Sequence, residues 1–207
     1  MRQIDHVVIA AESLGAGRAF VEPLLAAVPA GGGRHPTMGT HNLLWPLGGA
    51  YLEVIAIDPE AAHPGRPRWF GLDGPAMRER LARGPALVAW VARVGDLAAA
   101  LAACPIPPGR AERHHRGDLH WRLTVPEDGM PPAGGAMPHL IEWPRGIAPP
   151  GESLPDLRLR LQRLSIRSPQ AMALRALPLP PEVEFEEGPP RLRAEIARAG
   201  GTVVTLA

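Results

Sequence analysis

Glu53 stands inside the apolar run AYLEVIAID, between Leu52 and Val54, where a strand would bury it. Stripping water from a carboxylate costs several kcal/mol unless a cation or hydrogen-bond donors replace it, so this residue needs a partner. His6 is one by type. In IDHVVIA the period-two alternation sets Ile4, His6 and Val8 on one face of a strand, and a His beside a Glu is either a pair closing a structural pocket or a functional site. His35 and His41 flank Gly39, with Asn42 next, in a segment whose glycines can take positive φ and bring backbone N–H groups near a ligand. The same residues would equally well stabilise a turn. His41, Leu43 and Trp45 share one strand face, which turns His41 toward Glu53 if the hairpin register cooperates. Farther along, Glu142 in HLIEWP alternates with Leu140 and faces away from His139, Ile141 and Trp143.

Trp69 and Phe70 lie inside the Pro- and Gly-rich stretch 59–85, in RPRWFGLDG. Aromatics exposed on a loop are costly, so this loop is expected to seal a pocket. His114, His115 and Arg116 precede a Gly-Asp turn. They form either a solvated hairpin end or a basic patch for a carboxylate substrate. His63 and His120 read as surface residues. The lone Cys104 follows an Ala-rich run and excludes an intrachain disulfide, which fits a reducing compartment.

The elements that must position these residues follow from periodicity. A strand at 4–10 leads through an N-cap at Ser13 into a helix, and two apolar strands split by Gly48-Gly49 give a hairpin. From Ala86 the pattern returns: ALVAWVARV as strand, a helix capped by Asp96, then GDLHWRLTVP and HLIEWP as strands. After a Pro-rich connector, 146–156, the order strand, helix and three strands comes again more compactly over 157–207. The expected fold class is α+β, with repeated βαβββ modules at about 3–58 and 86–144. With 22 basic and 21 acidic residues and a net charge of +1, the chain has no polyanion-binding character, so no nucleic-acid partner is expected. No apolar run reaches the roughly 20 residues that span a bilayer, and no signal-peptide pattern opens the sequence, so no membrane partner and a cytoplasmic location are expected. P-loop, dinucleotide-binding, nucleophile-elbow, HExxH and CxxC motifs are absent.

The βαβββ repetition, with IDHVVIA, GGRHPTMGTHNLLWPLGGAYLEVIAIDP and MPHLIEWP, resembles the glyoxalase-like branch of the vicinal oxygen chelate superfamily. That resemblance implies paired modules whose curved mixed sheets enclose a cavity, with metal ligands on the first and fourth strands of each. Carried over, these positions are His6 and Glu53 in the first module. In the second, Ala89 stands where His6 would be, and Glu142 falls near the Glu53 position. The third segment puts Arg163 at the first-strand position.

Two functions follow from the resemblance. One is a small-molecule lyase, isomerase or dioxygenase in which a divalent ion (Zn, Ni, Mn or Fe) on His6, Glu53 and Glu142 chelates adjacent substrate oxygens. Glu53 or Glu142 would serve as base there, with His35, His41, Asn42, Trp45, Trp69 and Arg163 as substrate contacts. The other is a metal-free binding protein of the antibiotic-sequestering kind, with Trp45, Trp69 and Trp143 around Glu53. Either would work as a monomer or homodimer.

Overall fold

The computed structural model describes residues 3–207. Strand β1 (Gln3–Ala10) leads into helix α1 (Leu14–Leu25), whose first turn is capped by Ser13 Oγ accepting from Ala16 N at 3.1 Å. Strands β2 (Gly31–His35), β3 (Thr40–Pro46) and β4 (Tyr51–Ile57) complete the first module. The second repeats it with β5 (Ala86–Arg93), α3 (Leu97–Ala102), β6 (Arg110–Arg116), β7 (Leu119–Val125) and β8 (His139–Glu142). Helix α2 (Pro75–Leu81) lies between them. Together the modules form one eight-stranded sheet in the order β2-β3-β4-β1-β5-β8-β7-β6. In each module the first strand pairs in parallel with the fourth, and β1 and β5 meet antiparallel at the centre. The sheet curls until its outer edges approach: a Cβ at Gly33 on β2 would stand 2.8 Å from Arg116 Cδ on β6.

That contact explains the glycine run. Gly31, Gly32 and Gly33 form a strand rather than a loop, and none has positive φ. They are needed for close approach, since a Cβ at Gly32 would meet Asn42 O at 2.3 Å. Gly39, at φ 57°, is the residue of this segment that needs left-handed freedom.

The third segment keeps the element order but not the pairing. Here β9 (Arg160–Arg167), β10 (Val183–Glu186), β11 (Arg191–Ala197) and β12 (Val203–Leu206), with helix α4 (Ala171–Leu174) after the first, build a four-stranded sheet ordered β10-β9-β11-β12. Its first strand pairs in parallel with its second, not its fourth. Leu164, Ile166, Ala194 and Ile196 from this sheet join one buried cluster with Val7, Ile9, Leu52 and Val54 from the outer face of the large sheet, where α1 also packs. The inner face carries a second cluster around Val8, Ile55, Phe70 and Val91. Among the described residues no helix is long and apolar enough to cross a membrane.

Candidate functional site

The inner face of β1 departs from strict alternation at one residue. Ile4 pairs with Ala92 and His6 with Val91, so Asp5 is an extra residue, a β-bulge between two ladder pairs. The bulge lets Asp5 reach its own neighbour: Asp5 Oδ1 lies 2.8 Å from His6 Nδ1. Asp5 Oδ2 accepts from Arg93 Nε and from Trp143 Nε1, each at 2.9 Å. Burial would raise the Asp5 carboxyl, yet the bonds and charges of His6 and Arg93, with the Trp143 bond, hold it below the usual carboxylate range. An ionised carboxylate only accepts, so His6 carries its proton on Nδ1 and turns Nε2 toward Glu53 Oε2, 3.6 Å away. Tyr51, beside His6 in the β1–β4 ladder, stacks on the ring with centroids 4.5 Å apart.

Glu53 is thus on the cavity side with His6, as parallel pairing of Val8 with Glu53 requires. Its other oxygen accepts from Asn42 Nδ2 at 2.6 Å. Asn42 also donates to His35 Nε2 at 3.3 Å and accepts from Arg116 Nη1 through Oδ1 at 3.0 Å. These partners fix the amide orientation, because a guanidinium can only donate and a carboxylate only accept. His35 must then be neutral, with Nδ1 donating to Thr40 Oγ1 at 3.1 Å. Burial, reinforced by the nearby Arg116, pushes its pKa well below the ordinary value, in agreement with that role.

These groups face one narrow cavity. Its walls are aromatic: Trp69, Phe70, Trp121 and Trp143, the last two with ring centroids 5.3 Å apart. Trp69 and Phe70 are buried and form part of that wall. Phe70 adopts φ 59°, a left-handed backbone that costs a bulky residue on the order of 1–2 kcal/mol. The turn is held by Gly71 N donating to Gly129 O at 2.8 Å and by the buried Arg68, paired with Asp73 at 2.6 Å.

Several expected residues lie elsewhere. The β3–β4 register pairs Leu44 with Glu53, which turns Thr40, Asn42 and Leu44 inward and sends His41, Leu43 and Trp45 to the helix side. Trp45 is fully buried there, donating Nε1 to Ala27 O at 2.8 Å, and His41 sits 3.9 Å from Asp58. Glu142 is on the outer face: it accepts from Leu97 N at 3.0 Å, at the start of α3, and from Arg122 Nε at 2.7 Å. Arg163 is exposed on the small sheet beside Glu184 and does not approach Glu53. We expect Glu142→Ala to cost about 1 kcal/mol through the lost helix cap while leaving ligand binding in the cavity unchanged, as urea unfolding and a binding titration will read.

The register also shows what replaces Glu142. Val8 pairs with Glu53 and its counterpart Val91 pairs with His139, so His139 occupies the Glu53 position of the second module. Its Nδ1 lies 2.8 Å from Thr124 O, its Nε2 has no hydrogen-bond partner, and the edge-on Phe70 ring packs against it at 5.1 Å. Among the described residues no three His, Cys, Asp or Glu side chains converge to hold a metal ion. His6 and Glu53 alone, with the fixed Arg116 cation in the same cavity, do not fit a resident divalent ion. Asp5, Arg93, Arg116 and Trp121 are the site residues that strand alternation does not single out.

A family model described as a glyoxalase-like domain matches residues 4–178. Among solved structures, a hypothetical protein from Staphylococcus aureus is similar over 89% of this chain and 86% of its own, at 12% identity and a TM-score of 0.61. A mutant of 4-hydroxymandelate synthase from Streptomyces coelicolor is similar over 99% of this chain and 62% of its own, at 15% identity and a TM-score of 0.51. Methylmalonyl-CoA epimerase from Mycobacterium tuberculosis aligns over 68% of this chain and 87% of its own, at 20% identity and a TM-score of 0.45. At such identities the likeness is one of fold. No curated protein sequence matches the chain.

Proposed function

The chain belongs to the glyoxalase-like domain family of the vicinal oxygen chelate superfamily, and from its site we propose an acid–base enzyme that moves a proton on a small molecule, of the isomerase or lyase type. Glu53 is the base, taking a proton from a carbon next to a carbonyl or carboxyl group. The observation that carries this reading is the Asp5–His6–Glu53 alignment at the cavity wall, with 2.8 Å between the first pair and 3.6 Å between the second. Asp5 orients the His6 ring through Nδ1, so Nε2, facing Glu53, can receive the proton from Glu53 and return it. Asn42 binds the Glu53 oxygen that does not face His6, fixing the carboxylate rotamer. Arg116 supplies positive charge for oxygen atoms that become negative as the C–H bond breaks, in a cavity with aromatic walls. Each of these steps uses side chains alone, and none depends on an ion.

The aromatic walls favour a second reading, a binding protein that holds its ligand without turning it over. One experiment separates the two. Proton NMR in D₂O of a panel of small 2-oxo and 2-aryl carboxylates, with catalytic amounts of protein, is expected to show loss of the α-proton signal for at least one member. Glu53→Gln should slow that loss by at least about 100-fold while the ligand still binds. Tight binding with no exchange in the wild type would sink the enzyme and leave the binder.

A further inference from the structure

We infer that the ligand of this cavity is a small carboxylate with an apolar or aromatic body, its carboxyl group held by Arg116 and its α-carbon turned toward Glu53. The inference rests on the acid–base reading for the role of Glu53, and on its own observations for the carboxylate. Arg116 and Glu53 line one cavity with opposite charges, yet they do not pair. Asn42 stands between them, spending its oxygen on Arg116 Nη1 at 3.0 Å and its nitrogen on Glu53 Oε1 at 2.6 Å. An amide spacer of this kind keeps a cation and an anion in one small space without letting them neutralise each other. Among the described residues the Asn42 bond is the only hydrogen bond of the Arg116 guanidinium, and it makes no ion pair. A half-buried guanidinium with unused donors favours a planar oxyanion, which it can bind in a two-pronged fork. The other neighbours carry no competing negative charge: His35 is neutral, and burial raises the Tyr51 phenol well above its ordinary value, so it stays uncharged.

The second module delivers Arg116 on purpose-built geometry. Its stem crosses the edge of β2 at Gly33, where a Cβ would come within 2.8 Å of both Cγ and Cδ. Any larger residue there would push the stem away from Asn42. Beyond the guanidinium, Trp121 and Trp143 present tilted rings that suit a flat apolar group.

Phenylacetate and its uncharged analogue phenylacetamide, titrated against tryptophan fluorescence, test this directly. The wild type should prefer the carboxylate by at least about tenfold, the size expected for a charged hydrogen-bonded contact. Arg116→Gln should erase the preference. Gly33→Ala keeps the charge but displaces its stem, and should weaken the preference without lowering the thermal midpoint as far as a folding defect would. Glu53→Gln should retain the preference or increase it, because it removes the carboxylate charge that shares the cavity with Arg116. Equal or tighter binding of the amide, no binding of phenylacetate, or a preference that survives Arg116→Gln would each overturn the assignment. Proton exchange lost in Glu53→Gln alongside such a result would leave the acid–base reading standing. An Arg116-dependent preference without exchange would do the reverse.

Discussion

Between pH 6.5 and pH 4 the protein is expected to lose at least about 6 kcal/mol of folding stability, most of what a domain of this size has. The reason is a ring of buried imidazoles around Trp69 and Phe70. His35 and His114 each lie 5.0 Å from Trp69, and His139 lies 5.1 Å from Phe70, centroid to centroid. Burial lowers His114 to about 4, with Arg66 and His115 adding to the shift and Glu112 opposing it. Burial likewise lowers His139 to about 4, against the Thr124 carbonyl bond and with the help of His6. His35 moves the same way. The unfolded chain protonates these rings as the pH drops through their ordinary value near 6.5, while in the folded chain His114 and His139 resist until about 4. The contributions of His114 and His139 therefore fall through that window and level off below it. At about 1.4 kcal/mol per pH unit, His114 and His139 contribute roughly 3 kcal/mol each. Asp5 adds to the loss in the same direction, at the lower pH where its depressed carboxyl finally takes a proton. Urea titrations at pH 7 and pH 4.5 measure this, and His139→Phe should flatten the profile by about half. Equal midpoints at the two pH values would show that these rings titrate freely.

How far this site was legible in the sequence depended on parity. The paired modules follow from strand and helix periods, and Ser13 and Asp96 cap their helices as expected, with Asp96 Oδ1 accepting from Ala99 N at 3.0 Å. His6 and Glu53 come together because a first and a fourth strand that pair in parallel must share a face. Beyond that, one register step decides everything. The letters of THNLLWP suit either face of β3, and only the pairing of Leu44 with Glu53 selects Asn42 over His41 and Trp45. In HLIEWP a carboxylate is the more tempting ligand, but His139 carries the register and Glu142 the outer face. Asp5 was hidden for a different reason: alternation assigns it to the face opposite His6, and a bulge is visible only in the ladder. β6 is polar on both sides, RAERHHR, so no apolar contrast marked His114 and Arg116 as inward. The third segment misled at the level of topology, since element order does not determine which strand neighbours which.

The second large effect concerns Asp5, a fully buried carboxylate that holds three partners and touches no solvent. Asp5→Ala is expected to cost about 3–5 kcal/mol, because it strands a buried charge rather than deleting a pair. Arg93 would keep Glu152 at the surface but lose its buried partner, while Trp143 Nε1 and His6 Nδ1 would lose their acceptor. Asp5→Asn separates this structural cost from catalytic positioning. The amide preserves the volume and one acceptor, so stability should fall by less, about 1–3 kcal/mol. Its NH₂ group can donate to His6 Nδ1 and so favour the tautomer with the proton on Nε2. In the reading given to Glu53, that change removes the base's proton acceptor. Proton exchange should then fall at least about 100-fold in Asp5→Asn, with the carboxylate preference set by Arg116 unchanged. Exchange that persists in Asp5→Asn at the wild-type rate would reduce Asp5 to a structural anion for Arg93 and leave Glu53 working alone.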